Sequence, residues 1–254
     1  MSEILSGGEP FLHPGNDVGC LLLHGFTSSP DELRELGNYL SSRGYTVLGV
    51  RLFGHATRES DMNRARYRDW IASAEDGYHM LRPNCKHIIL VGLSMGGVLS
   101  LILAARWPTN GVVGMGTPHE LPSDPRLPFA RPLSFIWPRV PKPKSRRHAD
   151  EEWPPHVTYE HYPTHAVAEL NDLLAAMRSS LPKVATPVLL MHALEDSAVD
   201  PDHMHKIKSE LGSDRVRSML IEDSGHLIPV DDQRQRAFRA IDEFVKDVTG
   251  NPDR

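Results

Sequence analysis

Short runs of apolar residues alternate along the chain with longer stretches whose apolar side chains recur at helical spacing. The short runs predict strands over residues 18–23, 45–50, 87–91, 112–115, 187–192 and 216–221. The longer stretches predict helices over residues 30–43, 67–81, 95–106, 164–179, 201–211 and 231–248. Strands that are apolar throughout are typical of a parallel sheet with helices on both faces, so the sequence predicts an α/β fold.

This alternation stops between residues 118 and 163, where prolines are frequent and no period emerges. The stretch carries the apolar run Phe135-Ile136-Trp137 and a basic cluster of Lys142, Lys144, Arg146 and Arg147. An irregular insertion of this length in a compact domain is usually functional or disordered. We therefore expect a core formed by residues 1–117 and 164–254, with residues 118–163 inserted as a small cap.

Length and charge exclude several classes of protein. The 254 residues suit one globular domain, and a net charge of −5 leaves no basic excess to hold nucleic acid. No segment reaches the roughly 18 apolar residues of a membrane span, so we expect no stable membrane insertion. The N-terminus has no signal-peptide pattern, and there are only two cysteines, Cys20 and Cys85. We expect a reduced, cytoplasmic protein that is a monomer or a homodimer.

The strongest chemical motif is Gly92-Leu93-Ser94-Met95-Gly96, which lies between a predicted strand and a predicted apolar helix. A strand that turns at once into a helix needs small residues around the turn, and the turn exposes the serine at the carboxyl edge of the sheet. This G-x-S-x-G pattern predicts the nucleophile of an α/β-hydrolase fold. Ser94 is therefore the candidate nucleophile.

A serine hydroxyl needs a base, and in this fold the acid and the histidine follow the serine in the chain. Asp196 lies in an acidic loop after a predicted strand, where Glu195, Asp200 and Asp202 are rival carboxylates. His226 follows the last predicted strand in Ser224-Gly225-His226. We expect Asp196 and His226 to complete a catalytic triad.

The segment Leu23-His24-Gly25-Phe26 follows the first predicted strand, where this fold places one amide of an oxyanion hole. The backbone N–H groups of Phe26 and Met95 are the expected donors. His24 precedes the serine and is interpreted as a structural hydrogen-bonding residue. His156, His161 and His165 lack metal-ligand spacing, and no nucleotide-binding glycine motif occurs, so we expect no metal and no cofactor.

Together these stretches resemble the bacterial carboxylesterases and monoacylglycerol lipases of the α/β-hydrolase superfamily, particularly compact thermophilic carboxylesterases. The matching segments cover residues 22–30, 44–47, 92–98, 196–201 and 224–226. The resemblance implies a mostly parallel sheet with a small inserted cap, the triad Ser94, Asp196 and His226, and oxyanion amides from Phe26 and Met95. One departure is Ala56, which stands after His55 where the family more often has glycine. We expect a changed loop conformation there.

The expected activity is hydrolysis of short to medium acyl esters through an acyl-enzyme on Ser94. The small-molecule ester would need no cationic pocket, and none is evident near the triad. Monoacylglycerol lipase activity is the alternative, and a C–C hydrolase or lyase, or a receptor without activity, is more remote. Phe135, Ile136 and Trp137 are interpreted either as a lid that binds the acyl chain or as ordinary cap core.

Overall fold

The structure is a computed structural model and describes residues 3–142 and 156–250. Strands β1 to β9 span Phe11–His13, Val18–Leu23, Thr46–Val50, His87–Leu93, Gly111–Met115, Arg139–Pro141, His161–Pro163, Val188–Ala193 and Val216–Ile221. Helices α1 to α8 span Arg34–Ser42, Glu59–Met62, Tyr67–Leu81, Met95–Ala104, Ala130–Leu133, Thr164–Ser180, Asp202–Glu210 and Arg234–Thr249. Three further short 3₁₀ turns cover Pro30–Leu33, Leu127–Phe129 and Leu181–Lys183.

Seven of the strands form one sheet in the order β1-β3-β2-β4-β5-β8-β9. Every neighbouring pair is parallel except β1, which pairs with β3 in antiparallel fashion. The predicted mostly parallel sheet flanked by helices is therefore confirmed. Strand β1 was not expected, because three residues are too few to display a period.

Apolar side chains project from both faces of the sheet, and each face is covered by helices. In β2, Leu21 and Leu23 pack on the side that holds α3, α4 and α6. Cys20 and Leu22 point to the other side, which is covered by α1 and α8. Alternate residues of a strand face opposite sides, so a strand buried on both faces has to be apolar at every position. Cys20 and Cys85 are both buried, and they are not bonded to each other.

The described part of the expected cap contains α5 and a two-stranded antiparallel ribbon of β6 and β7. Its attachment to the core includes Tyr159, whose N–H donates to the carbonyl of Thr27 and whose hydroxyl donates to that of Gly54. Nearby Ala56 holds a φ of 52°, in the left-handed region that favours glycine, so alanine is strained there. Lys144, Arg146 and Arg147 of the basic cluster lie outside the described residues.

Candidate active site

Ser94 forms the abrupt turn between β4 and α4. Its backbone has a φ of 53° and a ψ of −117°, and its N–H donates to the carbonyl of Met115 at 2.7 Å. A Cβ built on Gly92 would lie 2.1 Å from the backbone of Gly96, and one built on Gly96 would lie 1.8 Å from the carbonyl oxygen of Leu23. These contacts are impossible for a larger residue, so the two glycines allow the helix to start directly against β2 and β4.

His226 and Asp196 approach each other from two different loops at the same sheet edge. Asp196 follows β8 and His226 follows β9, and Nδ1 of His226 lies 2.7 Å from Oδ2 of Asp196. The other carboxylate oxygen, Oδ1, accepts the N–H groups of Ala198 and Val199, each at 2.9 Å. The Asp196 side chain is fully buried, whereas the His226 side chain is 19% exposed. The imidazole is thus oriented by the carboxylate and still open on one side.

The ionisation of Asp196 is decided by competition between burial and hydrogen bonding. Burial by itself raises the pKa of this carboxyl, but the hydrogen bonds from His192 and His226 outweigh burial and hold the pKa below its usual range. Asp196 is therefore a carboxylate at neutral pH. An ionised carboxylate accepts a hydrogen bond from the N–H at Nδ1 of His226. The proton of the neutral ring therefore stays on Nδ1, and Nε2 carries none.

Gly116 connects the serine turn with this pair. It follows β5 with a φ of 52°, directly after Met115, whose carbonyl binds the N–H of Ser94. A Cβ built on Gly116 would lie 3.1 Å from Nδ1 of His226 and 3.4 Å from Oδ2 of Asp196. The backbone of Gly116 therefore packs against both side chains. The structure brings Ser94, Asp196 and His226 to one end of the sheet around this glycine.

One expected oxyanion donor, Met95, follows Ser94 in the chain, and the other, Phe26, belongs to a loop that packs against Ser94. Met95 is the first residue of α4, and such a residue has no acceptor for its N–H within the helix. Phe26 follows Gly25, where a built Cβ would lie 3.6 Å from Cβ of Ser94. The Phe26 ring packs on Trp70 at 5.9 Å between ring centroids, in an edge-to-face arrangement.

Glu32 is a site residue that the sequence analysis missed. Its side chain is buried, and its Oε1 accepts the N–H of Gly25 beside Phe26. Burial raises the pKa of Glu32, although the bond from Gly25 partly opposes this. The sequence signal was the pattern Ser29-Pro30-Asp31-Glu32, in which the glutamate of a capping box bonds the start of its own helix. Here the side chain instead reaches back to the loop that follows β2.

His24 has the structural environment expected from the sequence. Its Nδ1 donates to the carbonyl of Gly25 at 2.9 Å, and its Nε2 accepts the N–H of Leu52 at 3.1 Å. Burial lowers the pKa of His24 to about 4, so the ring is neutral and both of its nitrogens are used. His24 thereby ties the loop after β2 to the loop after β3.

The three rival carboxylates differ from Asp196 in their contacts or in their exposure. Oδ1 of Asp200 accepts the N–H of Asp202 at 2.8 Å, immediately before α7. Asp202 is exposed within the first turn of that helix. Glu195 is also exposed, one residue before Asp196. Of these carboxylates, only Asp196 is hydrogen-bonded to His226 within the described residues.

The apolar run of the expected cap lies at the surface. Phe135, Ile136 and Trp137 are 91%, 70% and 64% exposed. The interpretation of these residues as ordinary cap core is therefore wrong, because a core residue is shielded by its neighbours.

A cationic side chain lies closer to the site than the sequence analysis expected. Nζ of Lys142 donates to Oγ1 of Thr158 at 2.8 Å and stands 5.3 Å from the centre of the Tyr162 ring. That ring in turn lies 5.6 Å from the ring of Phe26. Burial lowers the pKa of Lys142 to about 8. An amine that is still mostly protonated at neutral pH therefore lies beside the loop of Phe26, with Tyr162 between them.

Within residues 3–142 and 156–250, none of the helices is long and apolar enough to cross a membrane. Over the same residues, no group of three histidine, cysteine or acidic side chains is arranged to hold a metal ion.

Comparisons with known proteins agree on one family. The profile of the Alpha/beta hydrolase family matches residues 20–241. A thermostable monoacylglycerol lipase from Bacillus sp. (strain H-257) is 33% identical over 97% of this chain and 99% of its own length. A carboxylesterase from Bacillus subtilis (strain 168) is 31% identical over 94% of this chain and 96% of its own. A structure from work on LipS and LipT, two metagenome-derived lipolytic enzymes, superposes with a TM-score of 0.90 at 27% identity, covering 96% of this chain and 100% of the other.

Proposed function

Because this chain belongs to the alpha/beta hydrolase family, we propose that it is a serine carboxylesterase. Its proposed substrates are acyl esters of short to medium length. The observation that carries the proposal is the 2.7 Å hydrogen bond between His226 and Asp196 beside the Ser94 turn. A fixed imidazole within reach of a serine hydroxyl is the arrangement that activates the hydroxyl as a nucleophile. The relatives named carboxylesterase and monoacylglycerol lipase support the same chemistry.

In the proposed mechanism, Nε2 of His226 takes the proton of Ser94 as Oγ attacks the ester carbonyl. Asp196 holds the imidazole in the required tautomer and stabilises the imidazolium. The N–H groups of Phe26 and Met95 stabilise the oxyanion that develops on the former carbonyl oxygen. His226 then protonates the leaving alcohol, and in the second half it activates the water that hydrolyses the acyl-enzyme.

The remaining parts of the proposal concern the cap and the substrate. Residues 118–163 act as the cap, and exposed Phe135, Ile136 and Trp137 form a lid that contacts the acyl chain. Monoacylglycerol lipase activity is the second candidate, supported by the 33% identical relative of that name. Cytoplasmic residence and a monomeric or homodimeric state stay predictions from the sequence.

The test measures turnover of p-nitrophenyl esters of graded acyl length and of monoacylglycerols. We expect Ser94→Ala to lose activity by on the order of 10⁴-fold or more, and a serine-directed phosphonate to inactivate the wild type. Ser100→Ala is the matched control, since its hydroxyl is buried in the same helix and bonded to the carbonyl of Gly96. Absence of turnover by the wild type, or full turnover by Ser94→Ala, refutes the proposal.

The same assay separates the two candidate substrates. A maximum at short acyl chains with poor turnover of monoacylglycerol favours the carboxylesterase. Faster turnover of monoacylglycerol than of any simple ester favours the lipase.

A further inference from the structure

A second histidine contacts the Asp196 carboxylate from within the sheet. His192 lies near the end of β8, and its side chain is almost completely buried. Its Nε2 is 3.0 Å from the carbonyl oxygen of Val199 and 3.3 Å from Oδ2 of Asp196. A carbonyl oxygen can only accept a hydrogen bond, and the same is true of an ionised carboxylate. Nε2 of His192 therefore carries a proton and donates it to both oxygens.

Oδ2 of Asp196 is consequently shared by two imidazoles. Nδ1 of His226 binds it at 2.7 Å, and Nε2 of His192, on the strand that precedes the Asp196 loop, lies 3.3 Å from it, while Oδ1 accepts the amides of Ala198 and Val199. His226 is also within electrostatic range of buried Glu32. The negative charge that Oδ2 of Asp196 presents to His226 therefore depends on how strongly the proton of His192 attracts the same oxygen.

We propose that His192 is a positioning residue for the triad and that it sets the acid limb of the pH–activity profile. The inference rests on the proposed function. The donated proton of His192 fixes the rotation of the Asp196 carboxylate and ties it to the loop that carries Val199. The same proton withdraws negative charge from Oδ2 and so weakens the support that Asp196 gives to the imidazolium form of His226.

The test compares His192→Leu, which removes the donor, with His192→Gln, whose amide can still donate near the position of Nε2. For His192→Leu we expect kcat/KM to fall by about threefold to tenfold, the size of one hydrogen bond, and the acid limb to move up by about half a pH unit. We expect His192→Gln to retain the wild-type profile. His87→Leu, at the start of β4 and the opposite edge of the sheet, is the control and should leave the profile unchanged.

An unmoved acid limb in His192→Leu, or the same movement in the leucine and glutamine variants, overturns the proposal. Failure of the proposed function is a separate result, because it is read from wild-type turnover and from Ser94→Ala. If His192→Leu does not fold, ¹⁵N NMR of the histidine side chains in the wild-type protein decides instead. A proton on Nε2 of His192 supports the proposal, and a proton only on Nδ1 overturns it.

Discussion

At the residue scale, Asp196 and Glu32 are buried carboxyl groups whose pKa values move in opposite directions. Burial raises both, but two imidazoles and two amides bind Asp196, and the net effect lowers its pKa. For Glu32 burial prevails over the hydrogen bond from Gly25, and its pKa rises. The first residue therefore keeps a charge that the proposed mechanism needs. The second carries a charge that costs stability once it ionises.

Replacing Asp196 by asparagine tests which carboxylate orients His226. We expect kcat to fall by on the order of 10³–10⁴, because an amide does not hold the imidazole in the required tautomer. Glu195→Gln and Asp200→Asn are controls from the same loop and should keep wild-type activity. A comparable loss in either control, measured by steady-state hydrolysis of p-nitrophenyl esters, contradicts the assignment of Asp196.

Glu32→Gln tests the cost of the buried charge. The pKa of Glu32 is raised in the folded state above its ordinary value of 4.5. The contribution of Glu32 to stability is therefore complete below about pH 4.5 and is lost as the pH rises through the folded pKa. Glutamine does not ionise and keeps an oxygen for the N–H of Gly25.

We accordingly expect the difference in Tm between Glu32→Gln and wild type to become more positive from pH 4 to pH 8. Thermal unfolding across this range measures it, with exposed Glu243→Gln as the control without such a trend. A constant difference across the range contradicts the expectation.

At the element scale, the strand–helix turn around Ser94 is readable from the sequence because glycines are required by local sterics. A helix over residues 30–43 was predicted as well, but its first turn, Pro30–Leu33, is 3₁₀, and Glu32 at the capping-box position bonds a different loop. Propensity and period describe the element, whereas the partner of an individual side chain depends on what packs beside it.

Gly96→Ala tests the turn itself. A Cβ at Gly96 would lie 1.8 Å from the carbonyl oxygen of Leu23, so β2 and α4 must separate. We expect a loss of about 3 kcal/mol or more in the free energy of unfolding, together with most of the activity. Urea unfolding measures the first quantity.

Gly44→Ala is the control for Gly96→Ala. Gly44 has a φ of 89°, but a Cβ built on it meets no atom closer than 3.8 Å, so the substitution causes no steric clash. It should cost only the backbone strain, about 1–2 kcal/mol. Equal losses in the two variants would mean that the contact with Leu23 is unimportant.

At the scale of the whole molecule, one sheet brings together loops that are distant in the chain. The sheet order places β4 beside β2 and β5, and β8 beside β5 and β9, so the loops that carry Phe26, Ser94, Gly116, Asp196 and His226 end at one edge. In the described part of the proposed cap, the Tyr159 hydroxyl donates to the carbonyl of Gly54 after β3, and Tyr162 packs against Phe26 after β2.

The exposed apolar run provides the prediction at this scale. We expect the combined replacement of Phe135, Ile136 and Trp137 by serine to raise KM for medium-chain esters and to leave KM for acetyl esters unchanged. Because these side chains are exposed, the free energy of unfolding should change by less than about 0.5 kcal/mol per position.

Met80→Ser, at an exposed apolar position on α3, is the control for this triple variant. Equal effects of the triple variant on KM for acetyl and for medium-chain esters would contradict a lid that contacts the acyl chain.

The sequence by itself determined the order of the main strands and helices, the parallel sheet and the glycine-framed turn at Ser94, and it named Asp196 and His226 as candidates. These features follow from local sterics and from the period of apolar residues, which are properties of neighbouring positions. Only the tertiary structure decided that His192 shares Asp196 with His226, that Glu32 binds Gly25, that Lys142 lies near the loop of Phe26 and that Phe135 lies in solvent. Each of these depends on which distant segments pack together, and a one-dimensional pattern does not contain that information.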